Sequence, residues 1–195
     1  MATYFANFGF DWRILIDPGH GGSELGGTGL EGTPEKVLNL AVSQSVVSAL
    51  NALGFEHVFL TRTDDTFVSL EDRVELARTV AADIVLSVHH NALPDGRDPQ
   101  QAQGVSAFYY QPFSRSLAQT LAKSLSSGLT VPCYGTFYDS LAMTRLHESL
   151  AVLVELGFMT HPDDYERLCQ PEQQQKAAQV LAESVEQYIT QVLSI

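Results

Sequence analysis

The order of apolar strands and amphipathic helices is the feature that most constrains the fold. A buried strand, "RILIDPG" (13–19), precedes a helix over residues 33–54 and a second strand, "HVFLTR" (57–62). A helix over residues 69–82 and a third strand, "DIVLSVHHNA" (83–92), follow. This β-α-β-α-β order predicts an α/β fold with a largely parallel sheet, helices on both faces and right-handed crossovers.

The second half of the chain continues this pattern less regularly. Residues 105–111 read as a strand and residues 114–129 as a helix, whereas residues 130–149 show no legible pattern. The apolar run "LAVLVELGFM" (150–159) predicts another strand, and a long helix closes the chain. No repeat or shift in composition divides the sequence, so we expect one domain.

Three helix features are specific enough to test. Thr33 is the expected N-cap of the first long helix, with Pro34 at its first position, and Ser69 is the expected N-cap of the second. The apolar stripes predicted to face the core are Val37, Leu40, Val47 and Leu50 in the first helix, and Leu181, Val185, Tyr188 and Val192 in the last.

Composition excludes several classes of protein. The chain has 195 residues, 45% of them apolar, which suits one packed domain. It lacks the run of ~18 apolar residues needed to span a membrane. A net charge of -12 argues against nucleic-acid binding through a basic face. Cys133 and Cys169 could pair, although two small buried side chains are the favoured interpretation.

A glycine-rich turn, "GHGGSELGG" (19–27), follows the first strand and could bind a phosphate, present a metal ligand or simply bend the chain. A dinucleotide motif requires a helix to begin among its glycines, and here the helix begins after them. Nucleotide binding is therefore disfavoured.

Candidate metal ligands gather where strands of a parallel sheet end. His20 follows the first strand, Glu35 lies in the first turn of the next helix, and His89 and His90 close the third strand. Neighbouring strand residues point to opposite faces, so only one of the two adjacent histidines is expected to enter the site. Two histidines and a carboxylate form a zinc set that leaves one position for water.

Each of these residues also has a structural explanation. Glu35 could complement the helix dipole, His20 could be a turn residue, and His89 could be a satisfied core histidine. Glu155 is the most unusual of the candidate residues, because it lies in a very apolar strand. A carboxylate buried there must be paired with a cation, be solvated in a cleft or have a raised pKa. It suits a general base beside a metal, although an ion pair with Arg145 is the alternative.

Several ordered segments resemble the zinc-dependent N-acetylmuramoyl-L-alanine amidases of the amidase-3 family, which cut bacterial cell-wall peptidoglycan. The resemblance extends from about Ile14 to the last helix. The segments that carry it are "LIDPGHGG", "EKVLNLA", "FLTRTDDTFVSLEDRVELA", "ADIVLSVHHNA" and "VLVELGFMTHPDDYERL".

The resemblance implies that His20, Glu35 and His89 ligate Zn2+ and that Glu155 is the catalytic carboxylate. It also implies a single α/β domain with a twisted, mostly parallel sheet of about six strands and helices on both faces. We expect this catalytic domain at residues 13–195, preceded by an N-terminal extension at residues 1–12.

The activity implied is hydrolysis of the amide bond between N-acetylmuramic acid and the L-alanine of the stem peptide. A zinc peptidase acting on stem peptides and a non-catalytic wall-binding module on the same fold are the alternatives. The sequence departs from the family at Glu24, where an aspartate is common, and at His161, where an asparagine is common. Neither departure replaces an expected ligand.

The expected partner is peptidoglycan, with no nucleic acid and no membrane, and the catalytic domain is expected to be monomeric. The first 13 residues do not form a secretory signal. A cell-wall, periplasmic or secreted location would therefore require a leader outside this sequence or another release route. Some family members have a helical insertion that blocks the zinc site. Only 65 residues separate His89 from Glu155, so we expect an open site.

Overall fold

The computed structural model describes residues 11–193 as an α/β fold. The predicted N-terminal extension falls almost entirely outside these residues. The strands are β1 (Arg13–Pro18), β2 (His57–Leu60), β3 (Ile84–Asn91), β4 (Val105–Tyr109), β5 (Cys133–Tyr138) and β6 (Leu150–Phe158). The helices are α1 (Glu35–Ala52), α2 (Leu70–Thr79), α3 (Arg115–Leu129), α4 (Pro162–Leu168) and α5 (Pro171–Leu193).

The six strands form one mostly parallel sheet, as expected, in the order β2-β1-β3-β6-β4-β5. β1, β2, β3 and β6 run parallel, β4 lies antiparallel to β6, and β5 lies parallel to β4. The strand that could not be located from the sequence is β5. It is an edge strand with four exposed residues, so no alternation of buried and exposed positions marks it.

The two faces of the sheet are covered unequally. One face packs against α1, α3 and α5 through a large apolar cluster. The opposite face, here called the α2 face, packs against α2 and a short 3-10 turn at Met143–Arg145. Helices therefore cover both faces, as predicted. Among the described helices, α2 alone joins the α2-face cluster, and the β4–β5 part of that face lies beyond it.

The predicted inward stripe of α1 is wrong at Val37 and Leu40, whereas Leu50 is buried and Val47 packs against the core. Val37 is 51% exposed, and Leu40 and Val47 are only partly buried. Polar residues of α1 also face inward toward the site, and this rotates the buried face away from the apolar stripe. The buried residues of this helix are Glu35, Lys36, Leu38, Asn39, Val42, Ser43, Val46 and Leu50.

The N-terminus of α1 is also capped differently from the prediction. Pro34 occupies the N-cap position, and no side chain there accepts a hydrogen bond. The glycine loop caps the helix instead, because the Glu35 amide donates to the Gly27 carbonyl at 2.8 Å. Thr33 is directed elsewhere, with its hydroxyl 2.7 Å from the Tyr165 hydroxyl.

The other two helix predictions fare better. Ser69 caps α2 as expected, and its hydroxyl accepts from the Asp72 amide at 3.1 Å. In α5 the predicted stripe is buried except at its last position, where Val192 is 43% exposed. The buried members are Leu181, Val185 and Tyr188.

The cysteine prediction is wrong, since Cys133 and Cys169 are both free and exposed. Cys133 begins the edge strand β5 and Cys169 ends α4, and neither place lies in the core. None of the described helices is long and apolar enough to cross a membrane.

Candidate metal centre and catalytic carboxylate

The turn after β1 presents His20 in a left-handed backbone conformation, with φ of 60°. Two glycines let neighbouring groups approach it closely. A Cβ at Gly19 would lie 2.1 Å from the His89 ring. A Cβ at Gly26 would lie 2.5 Å from both the His20 ring and the Glu35 carboxylate. A larger residue at either glycine would occupy the space that these neighbouring side chains fill.

Two arginines hold the turn in place. Arg73 of α2 donates to the carbonyls of Pro18 at 2.8 Å and His20 at 2.6 Å. Arg62, just after β2, donates to Pro18 at 3.0 Å and to Gly19 at 2.9 Å. Both guanidinium groups are almost fully buried. The backbone that positions His20 is therefore fixed by charge-assisted hydrogen bonds.

Asp17 compensates the buried charge of Arg73. Its carboxylate accepts from Arg73 at 2.6 Å, from the Thr61 hydroxyl at 2.6 Å and from the Ser87 hydroxyl at 2.7 Å. Burial by itself raises the pKa of Asp17, but the Arg73 charge and these hydrogen bonds outweigh it, and the pKa lies below its ordinary value. Sequence reasoning assigned no role to either arginine, although both occur in the segment that carries the family resemblance.

His20, Glu35 and His89 form one cluster. Glu35 Oε2 lies 3.1 Å from His20 Nε2, and Glu35 Oε1 lies 2.9 Å from His89 Nδ1. Each of the three residues offers one ligand atom, and these three atoms lie within 4.8 Å of one another. The group could therefore hold a metal ion. Two imidazoles and one carboxylate match the donor set of zinc sites with an open position, so the residues fit a catalytic metal.

Glu35 is held ready for that role. Its carboxylate also accepts from the Gly27 amide at 2.8 Å and from the Asn39 amide at 3.0 Å. Burial raises the pKa of Glu35, but hydrogen bonds and charge interactions with His20 and His89 bring it far below the ordinary range. The carboxylate is therefore charged and its oxygens are already oriented, as expected for a supported ligand.

The structure distinguishes the two adjacent histidines. His90 points to the other side of β3, where its Nδ1 lies 2.7 Å from Asn39 Oδ1. Burial lowers the pKa of His90 to about 3, so the ring is neutral. Only His89 joins the cluster, and His90 supports it through Asn39, which also contacts Glu35.

Glu155 lies beside His89 in the sheet register of β3 and β6. Its Oε2 atom is buried and has no hydrogen-bond partner. Burial, reinforced by the charge of Glu35, raises the pKa of Glu155 well above its ordinary value. The alternative ion pair is not formed within the described part of the chain, because the Arg145 guanidinium donates to the Ser140 carbonyl at 3.2 Å.

A cleft of about 270 Å³ opens beside the cluster, and both histidines line it. The His20 side chain is 29% exposed. Between β5 and β6 the described chain forms one 3-10 turn, Met143–Arg145, and no longer helix covers His20. The cluster is therefore open to solvent in this structure. The remaining lining residues are Asp17, Gly19, Glu24, Leu70, Arg73, Ser87, Leu141, Ala142, Met143 and Leu153.

Comparison with known proteins places this chain in a family. A family profile described as N-acetylmuramoyl-L-alanine amidase matches residues 14–187. The chain is 35% identical over 179 residues to N-acetylmuramoyl-L-alanine amidase LytC of Bacillus subtilis, covering 90% of this chain and 35% of that protein. It is 31% identical over 181 residues to the probable cell wall amidase LytH of Staphylococcus epidermidis, covering 91% and 58%. The chain thus spans well under two thirds of both relatives.

A solved structure shows the same fold. The N-acetylmuramoyl-L-alanine amidase from Clostridium difficile 630 superposes with a TM-score of 0.85 at 30% identity, covering 92% of this chain and 97% of that one. The family profile covers most of the chain, and the fold is shared with this relative. The chain belongs to the N-acetylmuramoyl-L-alanine amidase family.

Proposed function

We propose that this protein is a Zn2+-dependent peptidoglycan hydrolase that cleaves the amide bond between N-acetylmuramic acid and the L-alanine of the stem peptide. The observation that carries the proposal is the His20, Glu35 and His89 cluster, with ligand atoms within 4.8 Å, next to the unpartnered carboxylate of Glu155. Membership of the family supports the choice of bond and substrate.

The three clustered residues are the proposed metal ligands, with His20 and His89 binding through nitrogen and Glu35 through oxygen. When bound, Zn2+ supplies a Lewis acid that polarises the amide carbonyl and makes water more acidic. Glu35 is fixed by Asn39 and by the Gly27 amide, so the ligand geometry is set before the substrate arrives.

Glu155 is the proposed general base and acid. Because its pKa is raised, its carboxylate can accept a proton from the attacking water and hold it. It then donates that proton to the nitrogen of L-alanine as the C–N bond breaks. The unpartnered Oε2 atom is available for this transfer, since no hydrogen bond in the protein occupies it.

Mass spectrometry of digested peptidoglycan tests this function. The protein is incubated with purified sacculi, with and without a chelator and with Zn2+ added back. Peptides that begin with free L-alanine, intact glycan strands and loss of activity with the chelator are the expected result. Cleavage within the stem peptide would instead identify a zinc peptidase. Binding to sacculi without new amino termini would identify a non-catalytic wall-binding module.

The proposed site of action is the cell wall, outside the cytoplasm, with peptidoglycan as the partner. The names of the relatives LytH and LytC, a probable cell wall amidase and an N-acetylmuramoyl-L-alanine amidase, support this location. The monomeric state of the catalytic domain stays a prediction, which sedimentation equilibrium of the purified protein would test.

A further inference from the structure

The catalytic carboxylate lies in a row of residues that continues across the sheet. Glu155 is paired with His89 on one side and with Ser106 on the other, and Ser106 is paired with Gly135 on the edge strand β5. Paired residues share a face of a sheet, so the row runs along the α2 face from the metal cluster to the sheet edge. Strand spacing places Gly135 about 10 Å from Glu155.

Two exposed aromatic rings lie at the end of this row. Tyr134 is 48% exposed and Phe137 is 37% exposed, and their ring centroids are 5.8 Å apart. Phe158 packs edge-on against Tyr134 at 4.9 Å, and Phe108 packs against Phe137 at 5.3 Å. The two exposed rings, here called the aromatic shelf, are thus supported by rings from β4 and β6.

Gly135 lets the shelf lie close to the row. A Cβ at this position would lie 2.5 Å from the Phe137 ring, so the ring occupies the space a side chain would need. Phe137 therefore folds back over its own strand toward Ser106 and Glu155. Adjacent exposed aromatics fixed in this way are typical of a binding surface.

The charge of the surroundings indicates which half of the substrate the shelf contacts. The stem peptide carries free carboxylates, whereas the muramic acid carboxyl is consumed in the scissile amide and the sugar rings are uncharged. In the described part of the chain the rings packed on Tyr134 and Phe137 are aromatic, and no cation stacks on either. The protein also has a net charge of -12, so the shelf provides no electrostatic attraction for an anionic peptide. The C–H faces of sugars, by contrast, pack well on aromatic rings.

The shape of the surroundings also indicates that the shelf contacts the glycan strand. The 270 Å³ cleft beside the metal cluster is bordered by α2 and by Met143 of the 3-10 turn, which suits a short segment. The shelf lies on an edge strand that is open along its length. A glycan strand extends in both directions from the reacting unit, so it requires the open side.

We propose that the aromatic shelf, Tyr134 and Phe137, binds the glycan strand by stacking on the sugar next to the reacting N-acetylmuramic acid. This inference rests on the proposed amidase function, since it assigns the sugar side of that same substrate. The shelf fixes the position of the scissile amide relative to Glu155 and favours polymeric glycan over a single muramoyl peptide.

Alanine variants at the shelf test the inference against a matched control. Tyr138 lies on the same strand but pairs with Tyr109 on the opposite face, and it is 63% exposed. For Tyr134→Ala and Phe137→Ala, the ratio of kcat/KM on sacculi to kcat/KM on muramyl dipeptide is expected to fall about tenfold, mainly through KM on sacculi. For Tyr138→Ala the ratio is expected to stay within twofold of the wild type. Equal ratios in all three variants would overturn the proposal.

Binding to peptide-free glycan strands separates this inference from the proposed function. Wild-type protein is expected to bind such strands, and Phe137→Ala to bind about tenfold more weakly, whether or not any amide is cleaved. If wild-type protein released no amino termini from sacculi, the proposed amidase function would be refuted. The binding measurement would still test whether the shelf binds glycan. No glycan binding by wild-type protein, or weaker binding of free stem peptide by the variants, would refute the shelf. Phe137→Leu, which keeps apolar volume without the ring face, replaces Phe137→Ala if the latter does not fold.

Discussion

Two regions border Glu155 on the same face of the sheet, and they are built in opposite ways. The turn that carries His20 is held by two buried residues, Arg62 and Arg73, whose guanidinium groups bind its carbonyl groups. The β4–β5 side instead offers exposed rings that pack against other rings. Metal ligands require fixed geometry, which directional and charged hydrogen bonds provide. A surface that receives a polymer requires broad contact, and rigid rings with little entropy to lose provide that.

The largest expected effect is that of a substitution at Glu155, which lies between the two regions. Glu155→Gln should lower kcat by about 10²- to 10⁴-fold, because the amide cannot carry the proton from water to the leaving nitrogen. Release of L-alanine amino termini measures the rate, and bound zinc and the melting temperature should stay at wild-type values. Near-normal turnover would remove Glu155 from catalysis.

Loss of a ligand should affect the metal rather than the proton transfer. His89→Ala should weaken zinc binding by at least about 100-fold, since removal of a ligand should cost no less than removal of its outer support. Metal analysis after dialysis measures this change, with Glu155→Gln as the zinc-replete control. Stoichiometric zinc in His89→Ala would argue that His90 is the ligand instead.

The buried arginine should matter far more than an exposed one on the same helix. Arg73→Met leaves Asp17 unpaired in the core and should lower the free energy of unfolding by about 3–5 kcal/mol. Arg78→Met removes only the exposed pair with Glu148, which solvent screens, and should leave the free energy of unfolding close to that of the wild type. Urea unfolding of both variants measures the difference. Similar losses would show that the turn does not depend on its buried cation.

The metal side should also be sensitive to acid. Folding keeps His90 neutral with a pKa of about 3, whereas in the unfolded chain it titrates near its ordinary value of 6.5. The unfolded state therefore binds more protons between these values, and stability falls by up to about 1.4 kcal/mol per pH unit as the pH drops below about 6.5. Unfolding of chelator-treated protein from pH 7 to 5 tests this, with His90→Gln as the variant that lacks the titration. Parallel pH profiles for both proteins would contradict the assignment.

The smallest expected effect belongs to the open side. Tyr138→Ala should change the free energy of unfolding by no more than about 0.5 kcal/mol, because the side chain is exposed and lies outside the core. Urea unfolding beside Arg73→Met gives the contrast between the two regions directly. A loss comparable to that of Arg73→Met would mean that the rings of β5 support the fold itself.

The sequence was most informative where strand order decides position. Topology predicted that His20, Glu35 and one of the two adjacent histidines would meet, because they follow the carboxyl ends of parallel strands or begin the next helix. The family resemblance selected His89. Glu155 could be recognised because a charge stands out in an apolar strand. These predictions did not need side-chain packing.

Features that depend on packing were harder to predict. The sequence assigned no role to Arg62 and Arg73, and only the fold shows them buried against the turn. β5 has exposed residues on both sides, so its pattern matches no template. The inward face of α1 was misjudged because polar residues also point inward, among them Asn39, which supports the proposed ligand Glu35.

The left-handed backbone at His20 also bears on how the protein handles metal loss. Since Arg62 and Arg73 hold the turn, its shape does not depend on the ion, unlike domains that fold only around their metal. Removal of the ion should leave a folded protein in which the turn that carries His20 keeps its conformation. Reactivation would then be limited by binding of the proposed ion and not by refolding.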